Sequence, residues 1–165
     1  MIKAIVCVSE NWAIGRNNDL VFHLKKDMKY FTENTLNKVV VMGENTLLSL
    51  PGGKPLKNRV NIVLCPEGHE YEDCICFHEV EPLLTYISIL AKDHDVFVIG
   101  GGMMYRTMLP YCQEILVTKV KEYISDAQIF FPNLDINEDF EIVNTSSTLM
   151  EDNKLFNFVV YRRTN

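Results

Sequence analysis

The segment "VFHLKKDMKYF", residues 21–31, places one carboxylate beside a stripe of apolar residues. On a helix that starts near Leu24, the residues Leu24, Met28 and Phe31 recur at spacings of four and three, which predicts one buried stripe. Asp27 falls on the edge of that stripe. Because an unpaired buried carboxylate is costly or becomes neutral, we expect Asp27 to have a partner, either protein or ligand. A carboxylate in such a pocket can bind a ligand or take part in proton transfer.

The segment "VFVIGGGMMYRTMLP" places Gly100, Gly101 and Gly102 between an apolar strand that ends at Ile99 and a helix. Glycines at such a turn let a ligand or a second strand approach the backbone, and N–H groups at the start of a helix favour a phosphate. The pattern differs from the Rossmann fingerprint, because Tyr105 stands where the third glycine is required. This segment alone does not distinguish a phosphate-binding turn from tight packing of the strand against the helix.

Three further positions have side chains or turns suited to a site. The segment "VVVMGENTLLSL" repeats the order strand, Gly43, short helix, and two such turns at the carboxyl ends of strands would frame a dinucleotide crevice. Arg59 opens a strand, where its guanidinium can hold a carboxylate through two parallel hydrogen bonds or can be an ordinary surface arginine. Thr118 is a hydroxyl in an apolar strand, so it needs a partner: Asp27, a water or a backbone carbonyl.

The elements that position these residues follow from short β-branched runs and the helical stretches between them. Nearly apolar strands that alternate with helices indicate a parallel sheet covered on both faces, and the last strands, which have no helices between them, should add antiparallel edges. We therefore predict an α/β fold with a mixed, mainly parallel eight-stranded sheet flanked by four helices. The predicted strands start near residues 2, 38, 59, 73, 95, 114, 140 and 156, and the predicted helices near 24, 45, 79 and 102.

Composition narrows the class of protein. A chain of 165 residues that is 47% hydrophobic suits one domain, residues 1–165. A net charge of -6 argues against a nucleic-acid partner, and no apolar run reaches the length of a membrane span. We expect a cytoplasmic protein whose five cysteines are reduced and whose histidines and cysteines form no metal site.

These motifs, in this order, resemble bacterial-type dihydrofolate reductases, and the resemblance covers essentially the whole chain. It rests on "AIGRNNDL", Asp27 with Phe31, the "VVVMGxxT" pattern from 39 to 46, Arg59, "VIGGGxxY", "LVT" at 116–118 and "FFP" at 130–132. The resemblance implies NADPH-dependent reduction of 7,8-dihydrofolate to tetrahydrofolate, in support of one-carbon metabolism. Antifolate inhibitors would bind at the same site.

By this resemblance Asp27 would bind the pterin amide and amino group and assist proton delivery to N5, while the hydride goes to C6. Residues 9–23 would form a mobile loop that closes over the nicotinamide. The implied substrate-binding residues are Cys7, Asp27, Met28, Phe31, Leu50, Leu56, Arg59, Ile99, Tyr105 and Thr118. The implied cofactor-binding residues are Cys7, Ile14, Gly15, Asn18, Leu20, Gly43, Glu44, Thr46, Leu64, Cys65, Ile99, Gly100, Gly101, Gly102, Met103, Met104 and Tyr105. Without the resemblance, Met28, Phe31, Leu50 and Ile99 would equally suit a core.

The chain departs from the family at several positions. Phe22 stands where most bacterial members have Trp, and Lys25 replaces a common proline at the helix start. Glu44 stands where a basic residue near the cofactor phosphates is usual, and its carboxylate would repel a 2′-phosphate, although it also suits a helix N-terminus. Cys65 and its neighbours in "LCPEG" replace the usual polar or basic partners of that phosphate. We therefore expect a weakened NADPH preference and some use of NADH.

Two alternatives are open from the sequence. One is a reductase of the same fold that acts on another pterin-like or pyrimidine substrate, as in riboflavin synthesis, which would not need Asp27 together with Arg59. The other is a catalytically silent binding or regulatory protein, which Glu44 and Phe22 would favour. For the dihydrofolate reductase that the resemblance implies, we expect a monomer.

Overall fold

The computed structural model describes all 165 residues and contains twelve β-strands and four α-helices. The strands are β1 (Ile2–Val8), β2 (Ala13–Arg16), β3 (Asp19–Leu20), β4 (Val39–Gly43), β5 (Val60–Leu64), β6 (Ile75–Phe77), β7 (Val96–Gly100), β8 (Glu114–Val120), β9 (Ile129–Phe130), β10 (Phe140–Thr145), β11 (Leu149–Glu151) and β12 (Lys154–Arg163). The helices are α1 (Lys25–Thr35), α2 (Glu44–Ser49), α3 (Val80–Leu90) and α4 (Gly102–Met108). None of these helices is long and apolar enough to cross a membrane.

The main sheet has the strand order β10-β12-β8-β1-β7-β4-β5-β6, and β11 pairs with β12. Pairs from β1 through β7, β4 and β5 to β6 are parallel, whereas β12 pairs antiparallel with β8, β10 and β11. This confirms the predicted mixed, mainly parallel sheet of eight strands with four helices. The strands β2, β3, β9 and β11 were not predicted, because runs of two to four residues are too short to carry a periodic pattern.

The chain forms two compact units. One comprises residues 1–4 and 35–111, and its buried side chains include Met42, Ile62, Phe97 and Met108. The other comprises residues 5–34 and 112–165 and contains a cluster of Phe22, Leu24, Val120 and Phe156. The single domain expected over residues 1–165 stays a prediction.

Residues 9–23, expected to form a loop, contain a short hairpin. β2 pairs antiparallel with β3 and with β9. Arg16 on β2 also forms an ion pair with Asp126, with Nη1 and Oδ1 2.7 Å apart. Residues 13–16 are therefore held by backbone pairing with β9 and by the ion pair with Asp126.

Helix α1 does not bury the whole predicted stripe. Leu24, just before the helix, is buried, but the side chain of Met28 is 53% exposed, so the prediction that Met28 lies in a buried stripe is wrong. The ring of Tyr30 supplies packing instead, because it stacks on Phe158 with ring centroids 4.0 Å apart. The spacing of apolar residues could not reveal this, since Tyr30 lies outside the expected stripe.

Candidate active site

Asp27 lies in the first turn of α1 and is half-buried. The hydroxyl of Thr118, on β8, donates a hydrogen bond of 2.6 Å to Oδ1 of Asp27. Thr118 itself is 1% exposed, so this carboxylate satisfies a hydroxyl that would otherwise be buried without a partner. The partner of the Thr118 hydroxyl is therefore the carboxylate of Asp27.

Burial raises the pKa of Asp27 above the ordinary carboxyl range, while hydrogen bonds from Thr118 and the Cys7 thiol act in the opposite direction. The charge of Glu151 adds to the raising effect. No lysine, arginine or histidine forms an ion pair with Asp27, so its ionised form is held by neutral donors alone. A carboxyl group whose pKa is raised in this way is suited to exchange protons closer to neutral pH.

Cys7 and Tyr30 flank this carboxylate and remain neutral near physiological pH. Burial and the charge of Asp27 raise the pKa of the Cys7 thiol well above its ordinary value. The pKa of Tyr30 is raised by burial and by Asp27. Cys7 therefore acts as a hydrogen-bond donor here, and a reactive thiolate is disfavoured.

Arg59 precedes β5 and is partly buried. Its Nη1 donates to the carbonyl of Lys57 at 2.9 Å and its Nη2 to the hydroxyl of Thr35 at 3.2 Å, whereas the buried Nε has no hydrogen-bond partner. Burial lowers the pKa of the guanidinium, which still keeps its charge at neutral pH. A partly desolvated cation without a carboxylate partner favours the binding of an anion.

The glycine turn after β7 is closely packed on one side. Gly100 has φ +121°, and a Cβ atom there would lie 3.3 Å from Cε2 of the Tyr105 ring. The helix α4 starts after Gly101 without a side-chain cap. A second uncapped start occurs at Gly43, where a Cβ atom would lie 3.3 Å from Cγ of Met104. Both turns leave backbone N–H groups at helix starts without side-chain acceptors, which suits phosphate oxygens.

Glu44, the first residue of α2, is enclosed by two donors from the loop after β5. The Nδ1 atom of His69 lies 2.5 Å, and the hydroxyl of Tyr71 2.6 Å, from Oε2 of Glu44. These bonds lower the pKa of Glu44, and the carboxylate in turn raises the pKa of Tyr71 to about 12. Glu44 is thus ionised at neutral pH, with a side chain 19% exposed.

The other expected site residues fall into groups of different exposure. Met104 and Cys65 are buried. Met104 packs against Gly43, and the Cys65 thiol donates to the carbonyl of His69 at 3.4 Å. Ile14, Gly15, Gly102 and Tyr105 are buried, Phe31, Thr46, Leu50, Leu56, Leu64 and Ile99 are half-buried, and Asn18, Leu20 and Met103 are exposed.

Sequence reasoning missed the partners of two charged groups. His69 and Tyr71 surround Glu44, and Glu151 accepts hydrogen bonds from the backbone of Lys25 and Lys26. No spacing rule links residues 25 or more positions apart, so the sequence carried no signal for these contacts.

The chain is similar to known dihydrofolate reductases in sequence and in fold. A family model described as dihydrofolate reductase matches residues 1–163. The dihydrofolate reductase of Bacillus subtilis is 32% identical over 169 aligned residues, covering 100% of this chain and 96% of that protein, and that of Haemophilus influenzae is 33% identical, covering 81% and 80%. A solved structure of dihydrofolate reductase from Enterococcus faecalis, complexed with NADP(H) and RAB-propyl, has a TM-score of 0.86 and 28% identity and covers 100% of this chain and 97% of that one.

The match of the family model over nearly the whole chain, together with relatives above 30% identity, decides the classification. The chain belongs to the dihydrofolate reductase family.

Proposed function

We propose that this protein reduces 7,8-dihydrofolate to 5,6,7,8-tetrahydrofolate with NADPH. The observation that carries the proposal is the half-buried carboxylate of Asp27, held by Thr118 and Cys7 without a cationic partner. A pterin presents an amide N–H and an amino N–H in parallel on one edge, which matches the two oxygens of a carboxylate. Asp27 would therefore bind and orient this edge, and its protonated form would assist protonation at N5.

The remaining substrate contacts follow from the same chemistry. Arg59 would hold the α-carboxylate of the glutamate tail, and its partly desolvated guanidinium supports this role. Antifolate inhibitors that present two parallel N–H donors would compete for Asp27. Half-buried Phe31, together with exposed Met28, offers apolar surface on α1 for the flat rings of such ligands.

The cofactor would be held by the turns at Gly43 and Gly100–Gly102. The helix starts at these turns have no side-chain caps, so their backbone N–H groups are suited to the oxygens of a diphosphate. At Gly43 and Gly100 a larger residue would also meet Met104 and Tyr105, which is a packing reason for these two glycines. The bound reduced nicotinamide supplies the hydride. Residues of this chain would bind and orient it, with Ile14 and the backbone at Cys7 beside the nicotinamide and Thr46 beside the phosphates.

We also propose that NADPH preference is weakened and that NADH is used appreciably. Glu44 is ionised, and its carboxylate would repel a 2′-phosphate, whereas an acidic side chain can accept a hydrogen bond from a ribose 2′-hydroxyl. His69 and Tyr71 fix the orientation of this carboxylate.

The test is the loss of reduced-nicotinamide absorbance with dihydrofolate, run in parallel with NADPH and NADH. Turnover with NADPH supports the proposed activity, and comparable kcat/KM values with both cofactors support the role of Glu44. A preference for NADPH of about a thousandfold, equal to roughly 4 kcal/mol, would overturn that role. No turnover with either cofactor would favour another substrate or a binding protein.

A matched pair of variants isolates the carboxylate. Glu44→Gln should raise kcat/KM for NADPH more than for NADH, because it removes a negative charge near the 2′ position. Glu72→Gln, an exposed carboxylate in the loop after β5, should change neither value. The cytoplasmic location and the monomeric state stay predictions.

A further inference from the structure

Helix α1, which carries Asp27, has no cap from its own chain neighbours. Leu24 precedes the helix, and a leucine side chain cannot accept the first backbone N–H groups. Lys25, the first residue of α1, has a backbone N–H that no carbonyl within the helix can accept. The first turn of α1 therefore has backbone donors that need an acceptor from elsewhere.

Glu151, at the end of β11, supplies that acceptor. Its Oε2 accepts a hydrogen bond from the backbone N–H of Lys25 at 2.6 Å, and its Oε1 accepts one from Lys26 at 2.9 Å. These bonds lower the pKa of Glu151, so the carboxylate is ionised at neutral pH. The ammonium of Lys26 also donates to the carbonyl of Met150 at 3.0 Å, which fixes the same end of the helix to β11.

The hairpin geometry holds Glu151 in place. Asp152 and Asn153 both have positive φ angles and form the tight turn between β11 and β12, in which Glu151 pairs with Lys154. Asp and Asn tolerate this backbone region better than most residues. The carboxylate is thus presented from a hairpin rather than from a free loop.

Few charged groups face Asp27. Cys7 from β1 and Tyr30 from α1 are titratable, but burial and the charge of Asp27 keep both in their neutral forms near physiological pH. Thr118 from β8 is a neutral donor. Glu151 from β11 interacts unfavourably with ionised Asp27, while the ammonium groups of Lys25 and Lys26 lie near Glu151 and partly offset its charge.

We propose that Glu151 is a positioning residue for Asp27: it holds the first turn of α1 through two backbone hydrogen bonds and places a fixed negative charge near the catalytic carboxylate. The role rests on the function proposed for Asp27.

Three variants separate the two parts of the role. Glu151→Gln keeps an oxygen acceptor but removes the charge, Glu151→Ala removes both, and Glu151→Asp keeps the charge on a shorter side chain. Asp152→Asn is the matched control, because it removes a neighbouring carboxylate that makes no bond to α1 and keeps a residue suited to positive φ.

The main readout is the titration of the Asp27 carboxyl carbon by NMR in ligand-free protein, assigned through Asp27→Asn. In Glu151→Gln the midpoint should move to lower pH, since one contribution that favours the protonated form is lost. Glu151→Asp should titrate close to the wild type. Glu151→Ala should show the same shift as Glu151→Gln and a Tm lower by about 2–4 °C, the loss expected for one helix cap.

A Glu151→Gln midpoint that coincides with that of Asp152→Asn would overturn the proposal. The pH profile of dihydrofolate reduction should follow the NMR midpoints, because the rate falls as Asp27 ionises. If the wild type does not reduce dihydrofolate, the proposed function fails, while the titration of ligand-free protein still decides whether Glu151 acts on Asp27.

Discussion

The hydroxyl of Thr118 on β8 donates to Oδ1 of Asp27 on α1, over 2.6 Å and 91 positions of sequence. The bond ties the carboxylate to a buried strand, so the orientation of Asp27 does not depend on the helix alone. It also stabilises the ionised form against burial. Replacement of either residue should therefore have consequences for both pH dependence and orientation.

Asp27→Asn should abolish most activity while it preserves the fold. The amide is similar in shape but cannot exchange the proton, so we expect kcat at neutral pH to fall by about 100-fold or more. Steady-state turnover of dihydrofolate measures this. A variant that binds folate normally and turns over at the wild-type rate would contradict the proposed role of Asp27.

The same variant should be more stable than the wild type at neutral pH. Burial raises the pKa of Asp27 in the folded state, so the folded protein binds this proton more tightly than the unfolded chain, and stability falls as pH rises from the ordinary carboxyl range through the raised pKa. Because an asparagine side chain does not ionise, Asp27→Asn does not lose stability in this pH range. Its Tm advantage should disappear at acidic pH, where the carboxyl is protonated in both states, and a constant advantage at all pH values would contradict this account.

Thr118→Val should raise the pKa of Asp27 further, because the lost hydrogen bond favours the ionised form. A hydrogen bond to a charged group contributes about 1.5–3 kcal/mol, so the shift should be measurable in the pH profile of the reaction. The profile should move to higher pH. Thr118→Ser, which keeps the hydroxyl, and Thr145→Val, at an exposed site on β10, serve as controls that should leave it in place.

Arg59→Lys should raise KM for dihydrofolate with little change in kcat, because an ammonium cannot form two parallel bonds with a carboxylate. We expect an increase of roughly tenfold, equal to about 1.4 kcal/mol. The exposed Arg106→Lys is the control. An equal loss of kcat would indicate that Arg59 acts on the reaction itself and not on uniform substrate binding.

Gly100→Ala should destabilise the protein more than Gly68→Ala. Both glycines have positive φ angles, but only Gly100 would bring its Cβ atom within 3.3 Å of the Tyr105 ring, whereas nothing lies within 4 Å of a Cβ atom at Gly68. Backbone strain costs on the order of 1–3 kcal/mol at each site, and the contact with Tyr105 adds to this at Gly100. Urea unfolding of the two variants measures the difference in their free energies of unfolding. Equal values would show that the Tyr105 ring moves to make room for the added Cβ atom.

The sequence by itself determined the order of the major elements. The apolar runs of β4, β5, β7 and β8 are long enough to predict buried strands, and the intervening helices require parallel connections, so the sheet class followed. The position of Asp27 beside an apolar stripe also pointed to the candidate site, because burying a carboxylate without a partner costs free energy. The strand runs and the helical spacing around Asp27 each involve residues close together in the chain, so both can be read from the sequence.

Only the tertiary structure decided which distant groups act on those residues. The exposure of Met28, the stacking of Tyr30 on Phe158 and the burial of Met104 depend on how elements pack, and spacing along one element does not encode that. Glu44 with His69 and Tyr71, and Glu151 with the start of α1, are pairs brought together across 25 to 126 positions. Hydrogen bonds and charges act over a few ångströms in space, so their partners become visible only when the chain has folded.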